Sequence, residues 1–268
     1  MRRVGVFDSG LGGLTVARAL ARHFPGLDLS YLGDTARLPY GAKSEDTITR
    51  YALRCVRFLV EQGVDAVVVA CNTASACALP ALRDTFRSVE VLGVVEPGAS
   101  AAVEASVSGA IGVIGTERTV LSGSYPRAIA ALRPDARVET LACPVLVPLV
   151  EAGWVDHPVT RLTVETYLRV LFERAPDIDT LVLGCTHYPV LERVIAEVAQ
   201  HLRPAPLRLV DSAESISEAI RPFVRTSSPD GLRRFFVTDL PSSFQRVAST
   251  FWPETLPPVS HVDLPMDG

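Results

Sequence analysis

The chain has 268 residues, 48% of them apolar, and a mean hydropathy of +0.25, which excludes disorder and allows a large buried core. A net charge of −4 and a pI near 5.8 exclude a whole-chain electrostatic footprint for nucleic acid. Five cysteines without regular close spacing argue against a disulfide-framed secreted protein and for reduced thiols in a cytoplasm, and no apolar run reaches the roughly 20 residues of a membrane helix.

The N-terminus runs from Met1-Arg2-Arg3-Val4 straight to Asp8 and a glycine cluster, leaving no room for a signal peptide. Short β-branched runs then alternate with longer amphipathic stretches. The pattern predicts a strand at Val4–Phe7 and a helix at Leu14–His23, a strand at Leu29–Leu32 and a helix at Asp46–Gln62. It continues with a strand at Ala66–Val69 and a helix at Ala78–Phe86, then a strand at Val91–Val95 and a helix at Pro97–Ser106. In the second half, strands are predicted at Ala110–Ile114, Val138–Leu141, Thr180–Leu183 and Leu207–Val210. Helices are predicted at Ser122–Leu132, Pro158–Phe172, Val190–His201 and Ser212–Phe223. Such alternation is the signature of an α/β protein with parallel sheet. Toward the C-terminus, Thr226–Gly231 reads as a turn, Phe235–Thr238 as a strand, and the Pro-rich segment after Phe251 as irregular.

Two strand-turn pairs recur in the same order. Val4-Gly5-Val6-Phe7-Asp8-Ser9-Gly10 is echoed by Ile111-Gly112-Val113-Ile114-Gly115-Thr116-Glu117, and Val67-Val68-Val69-Ala70-Cys71-Asn72-Thr73 by Leu181-Val182-Leu183-Gly184-Cys185-Thr186-His187. We read two related, pseudo-symmetric α/β lobes, each a parallel sheet flanked by helices, with residues 1–95 and 208–268 in the first and 96–207 in the second. Ligands in open α/β sheets bind beyond the carboxyl ends of the strands, so both sets of turns are expected to face one cleft.

Cys71 and Cys185 each follow an apolar strand and precede hydroxyl or amide residues, which places each sulfur at the mouth of a helix. The positive end of a helix favours thiolate, so both thiol pKa values are expected to be lowered. Cys55, Cys77 and Cys143 lack this context and read as packing residues. A facing pair of sulfurs is a redox dithiol, a metal site or an acid-base pair. The absence of Cys-x-x-Cys weakens the first two readings. In the third, one thiolate takes a proton from a carbon and a thiol on the opposite face returns one, which inverts a stereocentre.

Asp8-Ser9-Gly10-Leu11-Gly12-Gly13 resembles a phosphate cradle but fails the spacing of a Rossmann fingerprint and lacks the Lys of a P-loop. Its backbone amides remain candidate carboxylate donors, with Ser9, Thr73, Thr116, Thr119 and Thr186 adding hydroxyls. Asp8 at a strand end and His187 beside Cys185 are placed to accept an ammonium or tune a thiol. Glu151 carries no chemistry on its own evidence.

These residues resemble the motifs of the glutamate racemases within the aspartate/glutamate racemase family. The markers are Val6-Phe7-Asp8-Ser9-Gly10-Leu11-Gly12-Gly13, Leu38-Pro39-Tyr40-Gly41, Ala70-Cys71-Asn72-Thr73-Ala74-Ser75, Gly115-Thr116 with Thr119, Val150-Glu151-Ala152-Gly153, and Leu183-Gly184-Cys185-Thr186-His187-Tyr188-Pro189. Glu117-Arg118 departs from the family pattern, where a smaller residue or Gly commonly precedes the second Thr.

The resemblance implies a cytoplasmic isomerase that interconverts L- and D-glutamate for peptidoglycan with no cofactor and no metal ion. It implies Cys71, serving D-glutamate, and Cys185, serving L-glutamate, as acid-base thiols assisted by Asp8, His187 and Glu151. Substrate contacts are implied for Asp8, Ser9, Pro39, Tyr40, Gly41, Asn72, Thr73, Thr116, Thr119, Thr186 and His187. Glutamate is the implied partner, without nucleic acid or membrane, and a homodimer is left open. The short start further suggests activity without the UDP-N-acetylmuramoyl-L-alanine activator of extended family members. Aspartate racemisation and a non-catalytic amino-acid-binding α/β module are the alternatives.

Overall fold

Burial on both faces explains the short apolar runs: β1 (Arg3–Asp8) is buried from Val4 onward and leads through the Gly10–Gly13 turn into α1 (Leu14–His23). The computed structural model describes residues 1–225 and 229–264. After α1 come β2 (Asp28–Gly33), α2 (Glu45–Glu61), β3 (Ala66–Val69), α3 (Asn72–Thr85), β4 (Glu90–Gly93) and α4 (Val95–Ala105). A second series follows with β5 (Ala110–Gly115), α5 (Glu117–Ser122), α6 (Ser124–Leu132), β6 (Arg137–Ala142), α7 (Leu146–Glu151) and α8 (Pro158–Arg174). It closes with β7 (Thr180–Gly184), α9 (Glu192–Leu202), β8 (Arg208–Asp211) and α10 (Ser212–Ile220). The chain ends with β9 (Arg233–Val237), α11 (Phe244–Phe251) and β10 (Val259–His261).

Two parallel sheets result. The first has the order β10-β9-β2-β1-β3-β4 and the second β6-β5-β7-β8. Within them, β2-β1-β3-β4 and β6-β5-β7-β8 have the same connectivity, so β1 corresponds to β5 and β3 to β7, as the repeated turns predict. Register places Phe7 beside Val69 in one sheet and Ile114 beside Leu183 in the other, so the turns after each pair leave at the same level.

On the first sheet, Val4, Val6, Leu29, Tyr31 and Val68 face the α1 side, while Phe7, Leu32, Val67 and Val69 pack with Ile48 and Val56 of α2. On the second, Ile111, Val113 and Val182 pack against α4 and α6. Leu181 and Leu183 lie instead in the same continuous cluster as the α1 side of the first sheet. That shared core joins the two halves into one unit.

Several boundaries differ from expectation. The second sheet extends through β8, which pairs with β7, so the strand at 208–211 belongs to it rather than to the first lobe. A strand returning through one helix, here α9, pairs most readily with the strand it left, and residue pattern alone does not reveal this. α3 begins at Asn72 and not at Ala78, because Cys71 caps it. Gly123, at φ +64°, divides the expected Ser122–Leu132 helix into α5 and α6. β10 adds an edge strand where irregular chain was expected. Of the turn read at Thr226–Gly231, residues Thr226, Ser227 and Ser228 lie outside the described residues.

Candidate active site

In each sheet the chain leaves the central strand in one direction for β2 or β6 and in the other for β3 or β7, and this reversal opens a crevice at the carboxyl ends. The two crevices meet in one cavity of about 360 Å³. Ser9, Cys71, Asn72 and Thr73 line it from the first sheet, and Thr116, Cys185, Thr186 and His187 from the second, with Pro39, Tyr40, Gly41 and Glu151 completing the expected set. Two expected contacts, Asp8 and Thr119, stand behind this lining and are both buried.

Around Cys71 the thiol form is favoured. The residue is the N-cap of α3, and its Sγ accepts from Ala74 N at 3.4 Å while donating to Ser9 Oγ at 3.3 Å. Burial and the nearby Asp8 carboxylate nevertheless push the thiol up to about 12, which overturns the expected lowering by the helix end. One N–H donor at a helix mouth is outweighed by removal from water plus a like charge. Asp8 itself, wholly buried at the end of β1, is raised by burial against the pull of backbone N–H groups and of His187. Its Oδ2 accepts from Gly10 N at 2.9 Å, while its Oδ1 has no partner.

The Cys185 side is built differently. Cys185 is followed by a turn and a 3-10 segment at Tyr188–Leu191 before α9, so its sulfur does not cap an α-helix. Instead His187 Nδ1 lies 3.9 Å from Sγ, and His187 Nε2 lies 3.0 Å from Glu151 Oε1. Burial opposes a charge on His187, but the hydrogen bonds to Cys185 and Glu151 outweigh it and hold the imidazole pKa up to about 10. A positive charge therefore stands beside this sulfur, where Cys71 has the Ser9 hydroxyl. Glu151 thus has a partner that its sequence context did not reveal.

Hydroxyls and one amide furnish the rest. Thr73, Thr116 and Thr119 form a triangle with Oγ separations of 2.9, 3.2 and 3.0 Å. Asn72 Nδ2 donates to Tyr125 Oη at 2.8 Å and Ser212 Oγ at 3.0 Å, leaving its buried Oδ1 without a partner. Tyr40 lines the cavity, but its hydroxyl donates to Asp34 Oδ2 at 2.6 Å and is thereby committed. Asp34, which the sequence analysis missed, also accepts from Arg37 at 2.7 Å and Thr238 at 2.8 Å. Further unforeseen lining residues are Pro144, Val147 and Pro148, an apolar wall at α7, together with Glu117. The apolar run at α7 was the available signal. Cys55, Cys77 and Cys143 are buried packing residues, as expected.

The glycine turn makes room for neighbouring side chains. A Cβ at Gly12 would fall 2.5 Å from His187 Nδ1, and one at Gly13 would fall 2.8 Å from Asp8 Cγ. Gly12→Ala is expected to lower turnover about 100-fold by displacing the imidazole while the fold survives. Gly13→Ala presses on the Cβ end of Asp8, which cannot swing away, and is expected to cost about 1–3 kcal/mol of stability. Thermal denaturation and kinetics on both variants check this contrast, and a fully active Gly12→Ala enzyme would contradict it.

No cluster of three or more His, Cys, Asp or Glu side chains among the described residues is placed to hold a metal ion. Nor is any described helix long and apolar enough to cross a membrane. Two repeated sheets, each presenting a cysteine from the corresponding strand end to one shared cavity, define the architecture, and residues 14–220 match the model of the Asp/Glu/hydantoin racemase family, so the chain belongs to that family. Within it, a glutamate racemase from Geobacter metallireducens is 48% identical, with 98% of this chain and 97% of the relative aligned. Glutamate racemase isoform RacE1 from Bacillus anthracis superposes with a TM-score of 0.91 at 37% identity, covering 98% of this chain and 97% of that one. The glutamate racemase of Francisella tularensis, solved with D-glutamate, gives a TM-score of 0.89 at 33% identity and covers 98% of both chains.

Proposed function

We propose that this chain interconverts L- and D-glutamate by a two-base mechanism without a cofactor, supplying D-glutamate for peptidoglycan in the cytoplasm. The observation that carries the reading is the meeting of Cys71 and Cys185, from corresponding strand ends of the two repeated sheets, in one cavity with unlike partners. With L-glutamate bound, the Cys185 thiolate, its charge opposed by the His187 imidazolium, removes the Cα proton. The electron pair passes into the substrate carboxylate. Cys71, held as a thiol, then returns a proton to the opposite face, leaving D-glutamate, a Cys71 thiolate and a Cys185 thiol. The reverse reaction exchanges these roles.

The partnerless Asn72 Oδ1 is suited to accept from the substrate ammonium, and the threonine triangle is suited to donate to a carboxylate. Ser9, Gly41 and Thr186 line the space between. Tyr40 contributes its ring and backbone, since its hydroxyl is held by Asp34. A Schiff-base route needs a lysine, and Lys43, the only lysine in the sequence, is not among the cavity-lining residues.

Circular dichroism of L- and D-glutamate incubated separately with the enzyme tests the reading. Both solutions are expected to lose their signal without added pyridoxal phosphate and in the presence of a chelator. Aspartate, one methylene shorter, is expected to react with a kcat/KM lower by about 10-fold or more. Binding without turnover would point to an amino-acid-binding module, and preferred turnover of aspartate to the other racemase specificity.

A further inference from the structure

The segment after β9 carries more than an edge strand. α11 is fastened to the first sheet, where Trp252 packs edge-on against Phe235 of β9 with ring centroids 5.3 Å apart. Arg18 of α1 also pairs with Glu254 at 2.6 Å. From that anchorage α11 reaches the second sheet's half of the site. The ring of Phe251, buried at 2% exposure, meets the imidazole of His187 edge-on, with centroids 5.0 Å apart and planes at 80°. One and a half turns earlier, Arg246 Nη1 donates to the main-chain oxygen of Glu151 at 3.0 Å.

We propose that Phe251 and Arg246 are positioning residues for the Glu151–His187 pair, an inference that rests on the proposed role of that pair in serving Cys185. An imidazole rotates about its χ2 bond, and its two nitrogens reach Cys185 and Glu151 together only while the ring plane is held. Gly12 and Phe251 hem that ring. Glu151 ends the six-residue helix α7, whose last carbonyls lack intrahelical partners, and a guanidinium there satisfies one of them in the favourable field of the helix end. The same helix α11 thus bears on both members of the pair from the other half of the molecule. Neither residue lines the cavity, so neither is expected to contact substrate.

Phe251→Ala is expected to lower kcat about 10-fold while changing KM less than about threefold, and Phe251→Leu, which keeps apolar bulk, to recover most of the loss. Arg246→Ala, at an exposed position, is expected to lower kcat about threefold, with Arg246→Lys close to the parent enzyme. Loosening the Cys185 side makes its proton transfer more nearly rate-limiting. The primary deuterium effect on kcat/KM should therefore rise with [2-²H]-L-glutamate and fall with [2-²H]-D-glutamate, a pattern that mere loss of folded enzyme does not produce. His187→Ala is measured alongside. If it leaves kcat and both isotope effects unchanged, the proposed role of the pair is wrong. If it lowers kcat but Phe251→Ala and Arg246→Ala leave kcat and both isotope effects unchanged, or alter KM alone, the positioning inference is overturned. Should Phe251→Ala fail to fold, Phe251→Leu and Arg246→Ala decide by the same readouts.

Discussion

Cys71→Ala and Cys185→Ala are each expected to lower kcat at least 10³-fold, roughly the upper part of the range for loss of a general acid or base, with the far-ultraviolet spectrum retained. In the proposed mechanism each variant keeps one proton carrier while inversion needs both, so neither thiol substitutes for the other. The fold should persist because alanine is tolerated at an N-cap whose one capping bond is a 3.4 Å contact to sulfur, and at the turn beyond β7. The two enantiomers have equal free energy. Whatever the variant, kcat/KM must therefore remain equal in the two directions, and the side served by each sulfur is read from isotope effects. Cys71→Ser should enlarge the primary deuterium effect with [2-²H]-D-glutamate, and Cys185→Ser that with [2-²H]-L-glutamate. Equal enlargement in both variants would refute the assignment by side, and substantial turnover by either alanine variant would refute the two-base reading itself.

His187→Asn is expected to lower kcat about 100-fold with a much smaller change in KM, because in the proposed mechanism the imidazolium supports charge on sulfur during proton transfer rather than holding the ground state. Its pKa supplies a second readout. Held up to about 10 by Cys185 and Glu151, the imidazole is charged at lower pH and loses that charge as pH rises through about 10. Turnover should fall along that limb in the parent enzyme, and the limb should be absent in His187→Asn. The same linkage acts on stability. The folded group binds a proton that the unfolded one, near 6.5, releases first, so the stabilising contribution is complete below 6.5 and disappears on approach to 10. Denaturant midpoints across this window should decline more steeply with pH for the parent than for His187→Asn. A variant whose kinetic and stability profiles both follow the parent would show that the imidazole is a bystander.

The class of the fold and the two sulfurs were legible because they depend on local pattern. Val4–Phe7, Ala66–Val69, Ala110–Ile114 and Thr180–Leu183 read as strands buried on both faces, and the structure places them at the centres of the two sheets. Their repetition in order told that β1 pairs in kind with β5 and β3 with β7, and the cysteines and threonines that follow them fell at the strand ends where ligands gather. Asp34, Phe251 and Arg246 were illegible and Glu151 was marked only by the family resemblance, since each contacts a partner remote in the chain: Thr238, His187, Glu151 and His187 respectively. No periodicity records such a pairing.

Sequence alone therefore determined the alternating architecture, the duplication and which two cysteines stand at the cavity, because those follow from hydrophobic period and from which side chains stand at strand ends. Only the tertiary structure decided that burial and Asp8 push the Cys71 thiol up to about 12, reversing the expectation that its helix end would activate it, and that Cys185 stands beside a charged His187. Desolvation and neighbouring charge depend on what the fold packs around a group, and these outweigh the local field of one helix turn.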